Sequence, residues 1–265
     1  MALDNLDFDF IIGSHSILAA VQNPRRTLYR LVGTKEGLDE LKKRLPGAAW
    51  PLRPEVVSAH VLQEEAKKVY QQLNFEYHRL PGAVFLLASR IHIEDPGPLF
   101  ARLDAGESLK IFCLDQVTDI HNAAAILRTA AFFGMDYLLI AQKGNFSLTP
   151  SFFRIAAGAA EYVGLVRTLS LPRTLKKLMD RQVAVYAFSE HAAVDEISWD
   201  GQRSLCLVLG SEEHGIGHAV ERVVVHQVRL TARGKIKSLN VSVAAALAME
   251  KAYAAGSRPV PVPSA

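Results

Sequence analysis

Residues 109–134 read LKIFCLDQVTDIHNAAAILRTAAFFG: an unbroken apolar run, then at once a longer stretch whose apolar residues recur three and four apart. The first part has the pattern of a strand buried on both faces, the second that of a helix packed beside it. Similar units follow: DYLLIA at 136–141, a helix near 152–163, a helix at 171–182, the strands VAVYAF at 183–188, SLCLVLG at 204–210 and VHQVRL at 225–230, and a last helix over about 239–255. Continuous apolar strands separated by helices predict an α/β fold with a parallel sheet covered on both faces. Ligands of such sheets bind beyond the carboxyl ends of the strands, so the loops after Asp115, Leu209 and Leu230 are where chemistry is expected.

Upstream, residues 8–92 give a second, smaller α/β unit. FDFIIG, YRLVGT and AVFLLASRI read as strands, and HSILAAVQN, GLDELKKRL and SAHVLQEEAKKVYQQL as helices. Pro96, Gly97, Pro98 and Gly106 interrupt both periodicities over IEDPGPLFARLDAGES. The expected division is therefore a domain at 1–93, a linker at 94–108 and a domain at 109–265. Residues 257–265 are proline-rich and expected to fray.

The 265 residues are 49% hydrophobic and 22% charged, a globular composition, and the net charge of +3 leaves room for a polyanionic partner. The two cysteines, Cys113 and Cys206, lie inside apolar strands without thiol or histidine partners at zinc spacing, so no metal site is expected. The acidic MALDNLDFDF start lacks a signal peptide's basic opening, and no apolar run reaches the roughly 18 residues that span a bilayer. A cytoplasmic protein with no membrane partner is expected.

Three stretches carry candidate chemistry. In DIHNAAAILRTA, Asn122 stands where a helix cap would, and Arg128 puts a permanent charge on a helix face shared with Ala125 and Phe132. In LVLGSEEHGIGH, a buried strand ends at Gly210 and is followed by Glu212 and Glu213, with Gly215 and Gly217 freeing the backbone. The glycine spacing matches neither G-x-x-x-x-G-K-[ST] nor G-x-G-x-x-G. In GKIKSLNVSVAAALAMEKA, Ser238, Asn240 and Ser242 open an alanine-rich helix, and Lys235 and Lys237 stand upstream where an anion would face them.

Taken in this order, the three stretches resemble the three motifs of the SpoU/TrmH family of RNA 2'-O-ribose methyltransferases, in the SPOUT superfamily. The resemblance covers residues 109–256, with Ala124 and Ala246 where many members carry glycine. More weakly, GSHSILAAV and GAVFLLAS make the first domain similar to the L30e-like substrate-binding domain of ribosomal RNA members. The resemblance implies a trefoil knot in the second domain, S-adenosyl-L-methionine bound by the main chain around Leu209, Gly210, Gly215, Leu230 and Leu239, and a homodimer through the methyltransferase domain. It places Asn122, Arg128, Glu212, Ser238 and Asn240 on the family's functional positions, with Arg128 acting across the dimer. RNA is the implied partner, 23S rRNA first and tRNA as the nearer alternative. A non-catalytic RNA-binding protein is the reading of a different class, and a nucleotide-dependent enzyme lacks its phosphate fingerprint.

Overall fold

The computed structural model describes residues 7–45, 50–143 and 146–256, which form two compact units. The first unit holds β1 (Phe8–Ile12), α1 (Ser14–Gln22), β2 (Leu28–Gly33), α2 (Lys35–Lys43), β3 (Glu55–Val56), α3 (Ala59–Gln72) and β4 (Val84–Ser89). Its sheet runs β1-β4-β2-β3, with β4 antiparallel to both β1 and β2. Thr34 and Ser58 cap α2 and α3 with their hydroxyls, which satisfies amides that the first helical turn leaves open. Phe8, Phe10 and Ile12 meet Leu62, Ala66, Val69 and Tyr70 of α3 in one core cluster.

The second unit holds β5 (Ile93–Glu94), α4 (Pro96–Asp104), β6 (Lys110–Leu114), α5 (Ile120–Phe132) and β7 (Tyr137–Ala141). After α6 (Pro150–Ala156) the chain continues with β8 (Gly164–Thr168), α7 (Leu171–Met179), β9 (Ala184–Phe188), β10 (Leu205–Leu209), α8 (His218–Glu221), β11 (Gln227–Val228) and α9 (Val241–Gly256). The seven strands lie in the order β11-β9-β10-β6-β7-β8-β5, all parallel. Chain order reverses between β6 and β10, so the loops after these two strands open side by side. Cys113 and Cys206 are wholly buried in these strands, and burial pushes both thiols up into the protonated form.

Several elements differ from the sequence reading, the short β3 and α8 among them. Residues 93–104, within the expected linker and its edge, form β5 and α4, because Asp95 accepts from the Gly97 amide and the prolines sit at the first helical positions, where no amide is lost. Strand β8 was not anticipated; Arg167 interrupts its apolar pattern. The helix expected over 152–163 ends at Ala156, where Ala157 and Gly158 both adopt positive φ and a short 3-10 turn, Ala159–Glu161, follows.

Residues 147–161 group with the first unit although they lie in the middle of the second by sequence. Ser16 Oγ donates to the Phe153 carbonyl at 2.5 Å, and a Cβ on Gly158 would stand 2.7 Å from that of Ala19. Arg26 is clamped between Asp9 at 2.8 Å and Glu161 at 2.8 Å, and it also donates to the Ser89 carbonyl. Burial raises the Asp9 carboxyl above its ordinary range even against Arg26, which pulls it down. The tail at 257–265 lies outside the described residues.

Candidate active site

The loop after β6 begins with Asp115, buried at the sheet's edge. Its backbone N–H donates to the Leu209 carbonyl at 2.9 Å, and its Oδ2 accepts from the Gly217 amide at 2.8 Å. One residue thus ties the end of β6 to that of β10 through its main chain and to the loop beyond β10 through its carboxylate. Beyond Leu209 the chain folds straight back: Ser211 and Gly215 exchange main-chain hydrogen bonds of 2.9 and 3.0 Å, with Gly215 at φ +63°. A Cβ on Gly210 would stand 1.9 Å from the Gly215 oxygen, so only glycine fits there.

That turn presents Glu212 to the start of α9. Glu212 Oε1 accepts from the Val241 amide at 2.8 Å, from Asn240 Nδ2 at 2.7 Å and from Asn122 Nδ2 at 3.3 Å. Asn240 Nδ2 also donates to Asn122 Oδ1 at 3.0 Å, and Asn240 Oδ1 accepts from the Ser242 amide at 3.0 Å and its hydroxyl at 2.5 Å. Residues 90 and 28 positions apart along the chain from Glu212 therefore share one polar cluster.

The caps are not the ones expected. Asp119, and not Asn122, caps α5, accepting from the His121 amide at 2.6 Å and the Asn122 amide at 3.2 Å. This frees the Asn122 side chain to reach the other two loops. No hydroxyl opens α9; the Glu212 carboxylate and the Asn240 carbonyl do so. A carboxylate there also favours the helix's positive end.

Arg128 stands apart from the cluster, about 9 Å further along the α5 axis at 1.5 Å per residue. It is exposed and forms no hydrogen bond or ion pair among the described residues. Phe132, one turn on, is 84% exposed, so this face of α5 is open. Ser238 is also exposed and forms no side-chain hydrogen bond among the described residues, Leu239 is 49% exposed and Leu230 half-buried. His121 and His214 are exposed, as loop histidines would be.

The chain from 230 to 240 has one more property: among the described residues, none of its main-chain N–H groups donates a hydrogen bond. Consecutive open amides beside the exposed Leu239 side chain form a donor set suited to main-chain recognition of a polar, partly apolar cofactor. Sequence reasoning missed Asp115 and the Val241 amide as parts of the site. An aspartate closing an otherwise apolar strand was the available signal for the first; the second depends on folding.

Among the described residues no helix is long and apolar enough to cross a membrane. A model of the SpoU rRNA Methylase family matches residues 110–250. A putative TrmH family tRNA/rRNA methyltransferase of Bacillus subtilis, YacO, is 28% identical over 252 residues, covering 92% of this chain and 95% of the relative. The 23S rRNA (guanosine-2'-O-)-methyltransferase RlmB of Pseudomonas syringae pv. tomato is 34% identical over 142 residues, 54% of this chain and 57% of that protein's length. In fold, the SpoU methyltransferase AviRb of Streptomyces viridochromogenes, solved with the cofactor AdoMet, superposes at a TM-score of 0.71 with 18% identity, over 92% of this chain and 89% of that one. With the parallel sheet in place and the matched region running from β6 into α9, the chain belongs to the SpoU rRNA methylase family.

Proposed function

We propose that this protein methylates a ribose 2'-hydroxyl in RNA with S-adenosyl-L-methionine as donor, large-subunit ribosomal RNA being the first substrate to test. The observation that carries the reading is the Asn122–Glu212–Asn240 cluster, which draws three separated motifs together beyond β6 and β10. The names of the relatives support RNA and the 2'-oxygen, and the AviRb complex supports the cofactor.

Bound in the loops at 209–215 and 230–239, S-adenosyl-L-methionine would supply an electrophilic sulfonium methyl. The open main chain from Leu230 to Leu239, with Gly210 and Gly215 shaping the neighbouring turn, holds the cofactor. Glu212 positions: it fixes Asn122, Asn240 and the start of α9. Ser238 and Asn122 orient the substrate beside it. Arg128 acts as a hydrogen-bonding cation on the substrate phosphate and on the oxygen that develops negative charge as it takes the methyl. A guanidinium stays protonated at neutral pH, so it stabilises charge and does not abstract the proton, which leaves to solvent.

The active unit is a homodimer through α5 and α9. Val243 and Leu247, one turn apart on α9, are 48% and 45% exposed, and Phe132 of α5, the helix packed on α9, is exposed too. Val243→Glu/Leu247→Glu is expected to sediment as a folded monomer and to lose transfer, since Arg128 then has no partner site to complete; an active monomer overturns this. The family resemblance further implies that the segment leading to α9 threads a trefoil knot. The first domain, in this reading, grips structured RNA.

Methyl transfer from labelled S-adenosyl-L-methionine to unmodified ribosomal and transfer RNA, followed by nuclease mapping, tests the function. Label at one nuclease-resistant ribose of large-subunit RNA is expected. Label confined to transfer RNA moves the target, as the tRNA/rRNA naming of the Bacillus subtilis relative allows. Cofactor binding without transfer to RNA or ribosomal particles overturns the reading.

A further inference from the structure

Between Glu221 and Glu250 the chain carries no carboxylate, yet it holds Arg222, Arg229, Arg233, Lys235 and Lys237. Some surface arginines elsewhere are matched, Arg30 with Glu55, Arg102 with Glu107, Arg181 with Asp104 and Arg203 with Asp200, and others such as Arg128 and Arg173 stand without an ion pair among the described residues. What sets 222–249 apart is the run of five cations with no carboxylate between them. Among the described residues none of the five cations in this run forms an ion pair. Arg222 and Lys237 hydrogen-bond main-chain carbonyls only, those of His218 at 3.3 Å and Gly234 at 3.1 Å.

Asp195 accepts from Thr231 Oγ1 at 2.9 Å, which sets one carboxylate against the start of the segment. The unopposed part is therefore Arg233, Lys235 and Lys237, all exposed. Like charges crowded on one loop repel each other, and a polyanion relieves that repulsion. At no more than about 3.6 Å per residue, the Cα atoms of Lys237 and Arg233 lie within about 11 and about 25 Å of that of Asn240. That is the reach of a few nucleotides around a ribose presented at the cluster. Ile236, 81% exposed between the two lysines, adds an apolar surface for a sugar or base. A cofactor carboxylate would use one such cation and leave two unexplained.

We propose that Arg233, Lys235 and Lys237 bind the phosphates of the RNA strand that flanks the ribose to be methylated. The inference rests on the RNA-methylation reading. Each single-strand phosphate contact contributes about 0.7 to the slope of log affinity against log salt. The full-length variant Arg233→Gln/Lys235→Gln/Lys237→Gln is expected to bind transcribed 23S rRNA with a slope shallower by about 2. Its Tm should stay as in the parent protein, and its S-adenosyl-L-methionine affinity is measured alongside by calorimetry, because the main chain of the same segment holds the cofactor. An unchanged slope overturns the inference while leaving the function standing. So does a tenfold loss of cofactor affinity at unchanged slope, which would assign the cations to the cofactor. If the parent protein itself neither binds nor methylates RNA, the functional reading fails, and this inference with it.

Discussion

Replacing Arg128 by alanine is expected to lower methyl transfer by about 10²–10³-fold while leaving the cofactor dissociation constant within about twofold. The reasoning begins with what Arg128 does not do. It is exposed and bonds to nothing among the described residues, so its loss takes nothing from the fold, and surface changes of that kind stay within about 0.5 kcal/mol. An activity loss with unchanged Tm therefore cannot be unfolding. Nor is Arg128 part of the Glu212 cluster, so the loops around the cofactor should keep their shape. What remains is its interaction with substrate. Lysine at 128 keeps the charge but not the paired geometry on a phosphate, and is expected to recover part of the rate. Single-turnover transfer measured alongside equilibrium cofactor binding decides it; undiminished turnover in Arg128→Ala removes the residue from the site.

The second large effect concerns stability. Arg26→Met should lower the Tm by more than about 10 °C, because Asp9 and Glu161 would be left as buried, unpaired carboxylates at a cost of about 3–5 kcal/mol. The three side chains are 2%, 5% and 3% exposed, so water does not screen the loss. The pH dependence has a definite sign. Asp9 already titrates above its ordinary 3.8 because burial outweighs Arg26. A carboxyl raised in the fold contributes stability that is present below its unfolded pKa and disappears as pH rises through its folded pKa. Removing Arg26 removes what pulls that value down, so the variant should lose more Tm between pH 4 and pH 7 than the parent protein does. Calorimetric scans across that range check it; a Tm unmoved at pH 7 means that the cluster takes up solvent.

The class of the fold and the three site stretches were readable because each rests on local pattern: apolar strands, i,i+3/i+4 helices, glycines and polar residues at strand ends. What was not readable depends on partners far along the chain. Asn122 looked like a cap because asparagine before an alanine run usually is one; Asp119, three residues earlier, takes that role and turns Asn122 toward Glu212. Of the three polar residues at the start of α9, Asn240 does accept from the Ser242 amide, but the Val241 amide is met by a carboxylate 29 residues upstream. Strand β8 was hidden by Arg167, and residues 93–104 by prolines that start a helix as readily as they break one.

The placement of residues 147–161 also bears on how the protein is made. A ribosome delivers the chain from the amino end, and domains usually close as their last residue emerges. Here the first unit lacks α6 and the Glu161 carboxylate until β6, α5 and β7 of the second have already been synthesised. Until then Arg26 has Asp9 but not Glu161, and the α6-facing side of β1 has no cover. The two halves are thus bound to each other in time, and a fragment cut at residue 93 is a domain missing one of its walls.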